Sequence, residues 1–209
     1  MAPGIEKPLR EEISREQLVE ELSLAETAPR VARNLLGSYL VRETEEGTLR
    51  ARIVETEAYR EDDPASHSCR GPTQRSKVMF GPPGFWYIYK CYGIHWMINV
   101  VCGPEDSGEA VLIRAAEPCA GEKIMVKQRG KDGKQLTNGP GKLAEALAVG
   151  EEINEQPVAA GTGFYLQPGY CSEEIYTSRR VGIEVGVERP WRFYLQSEYV
   201  TETEHNVDT

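Results

Sequence analysis

Hydrophobic and polar positions change period several times along this chain, and each change predicts an element. After Ser14, the run Arg-Glu-Gln-Leu-Val-Glu-Glu-Leu has helical spacing, and Ser14 with Gln17 forms a candidate capping box. Thr27 is placed to cap a second helix over Ala28–Leu36, where Val31, Leu35 and Leu36 share a face and Gly37 is the stop. The period then shortens. Tyr39–Thr44 and residues 48–58 read as strands around a Glu45-Glu46-Gly47 turn. Residues 60–84, rich in Asp, Pro, Ser and Gly, read as loop. Residues 85–92, 96–102 and 109–117 are three further strands, with a tight hairpin turn at Tyr92-Gly93-Ile94-His95. Asn138-Gly139-Pro140-Gly141 breaks the chain before a helix over 142–148. Residues 150–170 are loop with a strand at 163–166, and 181–187 and 191–195 are the last two strands. Many strands in succession with few helices predict an α+β fold with a largely antiparallel sheet. Residues 1–14 read as a flexible arm, 15–197 as one domain and 198–209 as a polar tail.

Composition bounds this picture. A chain of 209 residues, 40% of them hydrophobic, can build one sizeable core. There is no run of 18 apolar residues for a membrane span, and the first residues lack a basic segment followed by an apolar one. The five cysteines, at 69, 91, 102, 119 and 171, are scattered and never form a CxxC pair, which favours reduced thiols and an intracellular location. The net charge of −9 argues against a nucleic-acid partner, but it is unevenly spread. Residues 1–66 carry −6, residues 67–143 carry +5 and residues 144–209 carry −8. A basic middle can meet phosphates while the whole molecule stays acidic.

Candidate chemistry concentrates in the strand Ala51-Arg-Ile-Val-Glu-Thr-Glu-Ala-Tyr59. Glu55 and Glu57 recur at period 2 on one face, followed by Tyr59. An apolar residue at either site would bury more surface at less cost. Alone, Glu57 reads as a solvated edge residue or as a general base. Its surroundings are unusual: Tyr59, Tyr87, Tyr89 and Tyr92 are dense in sequence, and His67 lies in the loop after the strand. They are either core tyrosines or the aromatic faces of a pocket for a flat base. Asn99 interrupts an apolar strand, as a specificity group or a backbone partner. Arg114 interrupts another and calls for a carboxylate, Glu57 or Glu117. Phe85-Trp86 and His95-Trp96 place large rings around the hairpin. The glycine clusters at 139–142 and 161–163 lack the spacing of nucleotide loops and read as turns, and the three histidines lack that of a metal site.

Seven motifs occur in one order: Arg52-Ile-Val-Glu-Thr-Glu-Ala-Tyr59, Met79-Phe-Gly-Pro-Pro-Gly84, Tyr87-Ile-Tyr-Lys-Cys-Tyr-Gly93, Asn99-Val-Val101, Val111-Leu-Ile-Arg-Ala-Ala-Glu-Pro118, Asn138-Gly-Pro-Gly-Lys-Leu143 and Arg189-Pro-Trp-Arg-Phe193. Together, from about Leu35 to Phe193, they closely resemble the 3-methyladenine (alkyladenine) DNA glycosylase family. The resemblance implies a single α+β domain with a curved antiparallel β-sheet, surrounding helices and a protruding β-hairpin. It implies a monofunctional glycosylase, without cofactor, that excises 3-methyladenine, 7-methylguanine, hypoxanthine or ethenoadenine from double-stranded DNA. By motif, Glu57 would activate the attacking water, with Arg114 beside it. Tyr59 and Tyr89 would sandwich the flipped base, His67 would close the pocket edge, and Asn99 would disfavour guanine. Tyr92 would fill the gap left in the duplex. Charge and position add Arg70, Arg75, Lys77, Lys90 and Lys142 as phosphate neighbours. The chain is expected to act as a monomer, away from membranes. Two other readings stay open: a nucleic-acid-binding module without catalysis, and a hydrolase that pairs Glu57 with Glu117.

Overall fold

The computed structural model describes residues 13–202. Its centre is one antiparallel sheet. The strands are β1 (Tyr39–Thr44), β2 (Gly47–Tyr59), β3 (Trp86–Cys91), β4 (His95–Cys102), β5 (Glu109–Ala120), β6 (Phe164–Gln167), β7 (Tyr176–Ser178) and β8 (Arg192–Tyr194). They lie in the order β3-β4-β5-β2-β1-β6, and β8 pairs with the far end of β2 and carries β7 outside it. The sheet curls into a half-barrel, in the single α+β domain expected. Among the described residues four α-helices surround it: α1 (Arg15–Glu21), α2 (Ala28–Asn34), α3 (Glu122–Arg129) and α4 (Pro140–Ala146).

The curl has a local cause in the β2–β5 ladder. Pairing steps from Ile53–Ala116 to Glu55–Ala115 and then to Thr56–Ile113. Val54 and Arg114 are therefore the extra residues of two β-bulges, one on each strand. A bulge bends its strand and re-aims the side chain it carries. Arg114 and the Glu55–Glu57 segment are thus displaced from a regular pleat exactly where polar groups interrupt the core.

Several expected elements shift. Ser14 and Gln17 do form the capping box of α1. Thr27 makes no side-chain cap on α2; Glu109 Oε2 instead accepts the Ala28 N–H at 2.6 Å, a carboxylate arriving from β5. Helix α2 also stops short of Leu36. Helix α3 has no counterpart in the hydrophobic pattern because it buries only Met125; Gly121 and Gly130, both with positive φ, bracket it. Helix α4 begins earlier than expected, with Pro140 in its first turn. Residues 181–187 do not form a strand. Val and Ile alternate there as in a strand, but Gly182 and Gly186 adopt φ of 75° and 64°, and the chain turns. The pairing with β8 is made by β7 instead.

The core lies between the sheet and the helices α2 and α4, which pack on β2, β4 and β5. Trp86 is fully buried: its ring centroid is 4.6 Å from that of Phe164, and its Nε1 donates to Phe164 O at 3.1 Å. It belongs to the core and not to the hairpin surroundings where the sequence placed it. The expected arm lies outside the described residues except for Ile13 and Ser14. Of the expected tail, Val200 packs in the core and Thr201 N donates to Glu55 Oε2 at 2.7 Å. The hairpin is seated on α4: a Cβ added to Gly141 would stand 2.9 Å from His95 Cβ and Cγ.

Candidate active site

Strand β2 enters the core and carries two carboxylates with it. Glu55 and Glu57 are both fully buried. A buried carboxylate survives only with donors around it, and Glu57 has three. Val181 N donates to Oε1 at 2.7 Å, Tyr59 Oη to Oε2 at 2.8 Å and Arg114 Nη1 to Oε2 at 3.2 Å. Burial and the nearby negative charge of Glu57 push the Tyr59 phenol well above its ordinary proton affinity, so it stays a donor. Burial also opposes the charge on Arg114, but the carboxylates of Glu57 and Glu55 outweigh it and hold the guanidinium above its usual range.

In front of this group opens a cavity of about 360 Å³, lined among others by Tyr59, His67, Tyr89, Asn99, Arg114 and Val181. That volume is in the range of small-molecule sites. Glu57 does not itself line it. The carboxylate lies one layer beneath, under the three residues that donate to it. One cavity wall is an aromatic cluster. His67 Nδ1 is 2.7 Å from Tyr87 Oη, and the His67 ring lies edge-on to Tyr89 with centroids 4.6 Å apart. Burial of its packed side and then the Arg75 charge lower the proton affinity of His67, which favours the neutral ring. Burial is also the main cause that raises Tyr87 and Tyr89, and both remain phenols. Asn99 both lines the cavity and bonds the backbone: Nδ2 donates to Tyr87 O at 3.0 Å.

Tyr92 stands at the cavity rim, 91% exposed, at the tip of the β3–β4 hairpin. Its φ of 51° lies in the left-handed region, beside Gly93 at 71°. Such a conformation costs a bulky residue about 1–2 kcal/mol. A large exposed ring held in a strained turn is a functional signal rather than a packing one.

The basic candidates divide. Arg70 and Arg75 are exposed on the loop beside His67, and Arg75 acts on all three rings of the cluster. Lys90 Nζ lies 4.8 Å from the Trp96 ring on the hairpin. Lys142 Nζ donates to Asn138 Oδ1 at 2.8 Å. Lys77 lies elsewhere, in a second groove with Phe85 and Glu155, whose carboxylate is 3.9 Å away.

Glu117 is not a partner of Arg114. It pairs with Arg52 at 3.3 Å, opposite it in the ladder, and the second carboxylate on Arg114 is Glu55. Glu57 faces Leu112 and Glu117 faces Arg52, five residues away along β2, a separation too long for the paired carboxylates of a Glu57–Glu117 hydrolase. Other residues of the site escaped sequence reasoning. Val181 contributes a backbone N–H, which has no side-chain signature. Arg180 forms a fully buried ion pair with Asp63, donates to Ala58 O at 3.0 Å and lies 4.7 Å from the Tyr59 ring. A buried Arg was the available signal, but the alternating apolar pattern after it hid the turn.

The described residues include no helix long and apolar enough to cross a membrane and no group of three or more His, Cys, Asp or Glu placed to hold a metal.

The model of the methylpurine-DNA glycosylase family matches residues 23–199, most of the chain and the whole of this site. The chain belongs to the methylpurine-DNA glycosylase family. Its relatives agree. A protein of Rubrobacter xylanophilus named "Putative 3-methyladenine DNA glycosylase" is 46% identical over 169 residues, 80% of this chain and 88% of the relative. Proteins of the same name from Carboxydothermus hydrogenoformans and Nitrosospira multiformis are 45% and 48% identical, over 80% and 79% of this chain and 89% and 83% of their own. The chain is thus a DNA glycosylase, an enzyme of DNA repair. The carboxylate beneath the cavity and the ring at its rim are the features to explain in glycosylase terms.

Proposed function

We propose that the chain hydrolyses the N-glycosidic bond of alkylated and deaminated purines, among them 3-methyladenine, 7-methylguanine, hypoxanthine and ethenoadenine, after flipping the nucleotide out of duplex DNA. The observation that carries this reading is Glu57, a buried carboxylate fixed by three donors directly beneath an aromatic cavity of about 360 Å³.

The chemistry follows from charge. As the bond to the base breaks, the sugar becomes cationic and water must attack it. A fixed anion stabilises the cation and can take the proton of the water. Glu57 Oε1 receives one hydrogen bond from Val181 and has a second lone pair for a water held against Arg114 and Val181. Tyr59, Tyr89 and His67 offer ring surfaces for the purine, and Asn99 is the residue that disfavours guanine, whose exocyclic amine would clash. Tyr92 would fill the gap in the duplex and offset part of the few kcal/mol that unstacking costs.

The test uses duplex oligonucleotides carrying one hypoxanthine or one ethenoadenine. Wild type should leave abasic sites; Glu57→Gln should bind the same duplexes and lose about 10²–10⁴-fold in rate. A Glu57→Gln variant that cuts at the wild-type rate would sink the assignment. A protein that binds lesion DNA but releases no base would favour the non-catalytic binding module.

A further inference from the structure

We propose that Glu55 is a positioning residue of this site, holding Arg114 side-on and cancelling part of its charge so that Glu57 remains an effective base. The inference rests on the reading of Glu57 given above and extends it one layer deeper.

Glu55 touches neither cavity nor solvent, yet its donors are fully specified. Oε1 accepts from Arg114 Nε at 3.2 Å and from Arg192 Nε at 2.6 Å, and Oε2 accepts from Thr201 N at 2.7 Å. The same Arg114 guanidinium gives Nη1 to Glu57 at 3.2 Å. One cation is therefore straddled by two carboxylates, an arrangement the Arg114 bulge makes possible. Arg192 cannot swing across to replace either group. Its Nη1 donates to Ser178 Oγ at 3.2 Å and its Nη2 to Thr201 O at 2.9 Å. The tail at Thr201 thus clamps both members of the Glu55–Arg192 pair.

Charge counting gives the consequence. Glu55, Glu57, Arg114 and Arg192 sum to zero. Without the Glu55 charge, the cluster carries one net positive charge against Glu57. That surplus favours the carboxylate form and lowers its appetite for a proton. Arg114 also loses the anchor on Nε that fixes its plane. The other charged or titratable groups near Glu57 are Tyr59 on its own strand, Tyr89 on β3 and Arg180, whose charge is matched by Asp63. None of them can replace Glu55 on Arg114.

The experiment measures single-turnover release of hypoxanthine by the full chain as a function of pH, together with Kd for the lesion duplex. In Glu55→Gln the maximal rate should fall about 10–100-fold while Kd stays within about threefold. The acid limb of the rate profile should move down by about one pH unit. The double variant Glu55→Gln with Arg192→Gln restores neutrality and should bring the acid limb back, a non-additive result. An acid limb that stays put in a folded Glu55→Gln protein overturns the proposal, as does a double variant displaced as far as the single one. If Glu55→Gln does not fold, Glu55→Asp keeps the charge and withdraws the oxygens. It should lower the rate without moving the acid limb, and an unchanged rate overturns the proposal. Failure of the parent reading looks different: Glu57→Gln would then release base as fast as wild type.

Discussion

Val181 and Glu57, 124 positions apart in the chain, are joined by one hydrogen bond of 2.7 Å from the Val181 N–H to Glu57 Oε1. A turn of backbone, and no side chain, fixes that oxygen. Hydrogen bonds to a charged group contribute about 1.5–3 kcal/mol. Val181→Pro, which deletes the N–H, should therefore slow base release about 10–100-fold. Val181→Ala keeps it and should stay within about threefold. Equal losses in the two variants, read by single-turnover excision, would show that the side chain matters instead.

The strain at Tyr92 predicts a trade between stability and function. Asn tolerates positive φ better than Tyr, so Tyr92→Asn should raise unfolding stability by up to about 1 kcal/mol. The same change should remove stable flipping, read as the fluorescence of a base analogue at the lesion site, more than it weakens nonspecific DNA binding. A destabilised Tyr92→Asn in urea melts contradicts the strained turn.

His67 sets a pH dependence with a definite sign. Its proton affinity in the fold is lowered, first by burial and then by Arg75. The stability it contributes is full above about pH 6.5, the ordinary imidazole value, and is lost as pH falls through the lower folded value. The melting temperature should therefore drop between pH 7 and pH 5, and drop less in His67→Gln. A parallel pair of curves would rule His67 out as the source.

Asp63 and Arg180 are a buried pair whose halves are not equally dispensable together and apart. Asp63→Asn leaves the Arg180 cation buried, at a cost of about 3–5 kcal/mol. For a chain of this size that lowers the melting temperature by about 10 °C. The double variant Asp63→Asn with Arg180→Met should lose less. Calorimetry decides, and additive losses would mean that the two charges do not depend on each other.

Salt dependence separates the basic residues. Arg75→Ala and Lys90→Ala should each reduce the slope of log Kd against log salt by about one. Lys77→Ala should leave it unchanged, because Lys77 faces Glu155 in the other groove. A reduced slope for Lys77→Ala would move the DNA path to that side.

The legible part of this protein is the part written in side chains. Strands β1 to β5 follow from their period. Glu57, Arg114, Tyr59, His67, Tyr89, Asn99 and Tyr92 were named from sequence and converge around one cavity. What the sequence hides is backbone chemistry and non-local pairing. Val181–Val187 has the apolar alternation of a strand, yet two glycines with positive φ turn it into the loop that caps Glu57. Helix α3 buries one residue and carries no usable period. Arg114 takes Glu57 as expected and adds Glu55, not Glu117, across a bulged ladder whose register no pattern of residue types reveals.

Gly141 leaves no space for even a Cβ between itself and His95, so the base of the hairpin packs closely on the first turn of α4. If the tip keeps this seat during the flipping proposed above, the bending falls to the duplex. Encounter should then favour stretches of duplex that already kink or open easily, and the enzyme would sort its targets partly by the compliance of the DNA before any base reaches the cavity.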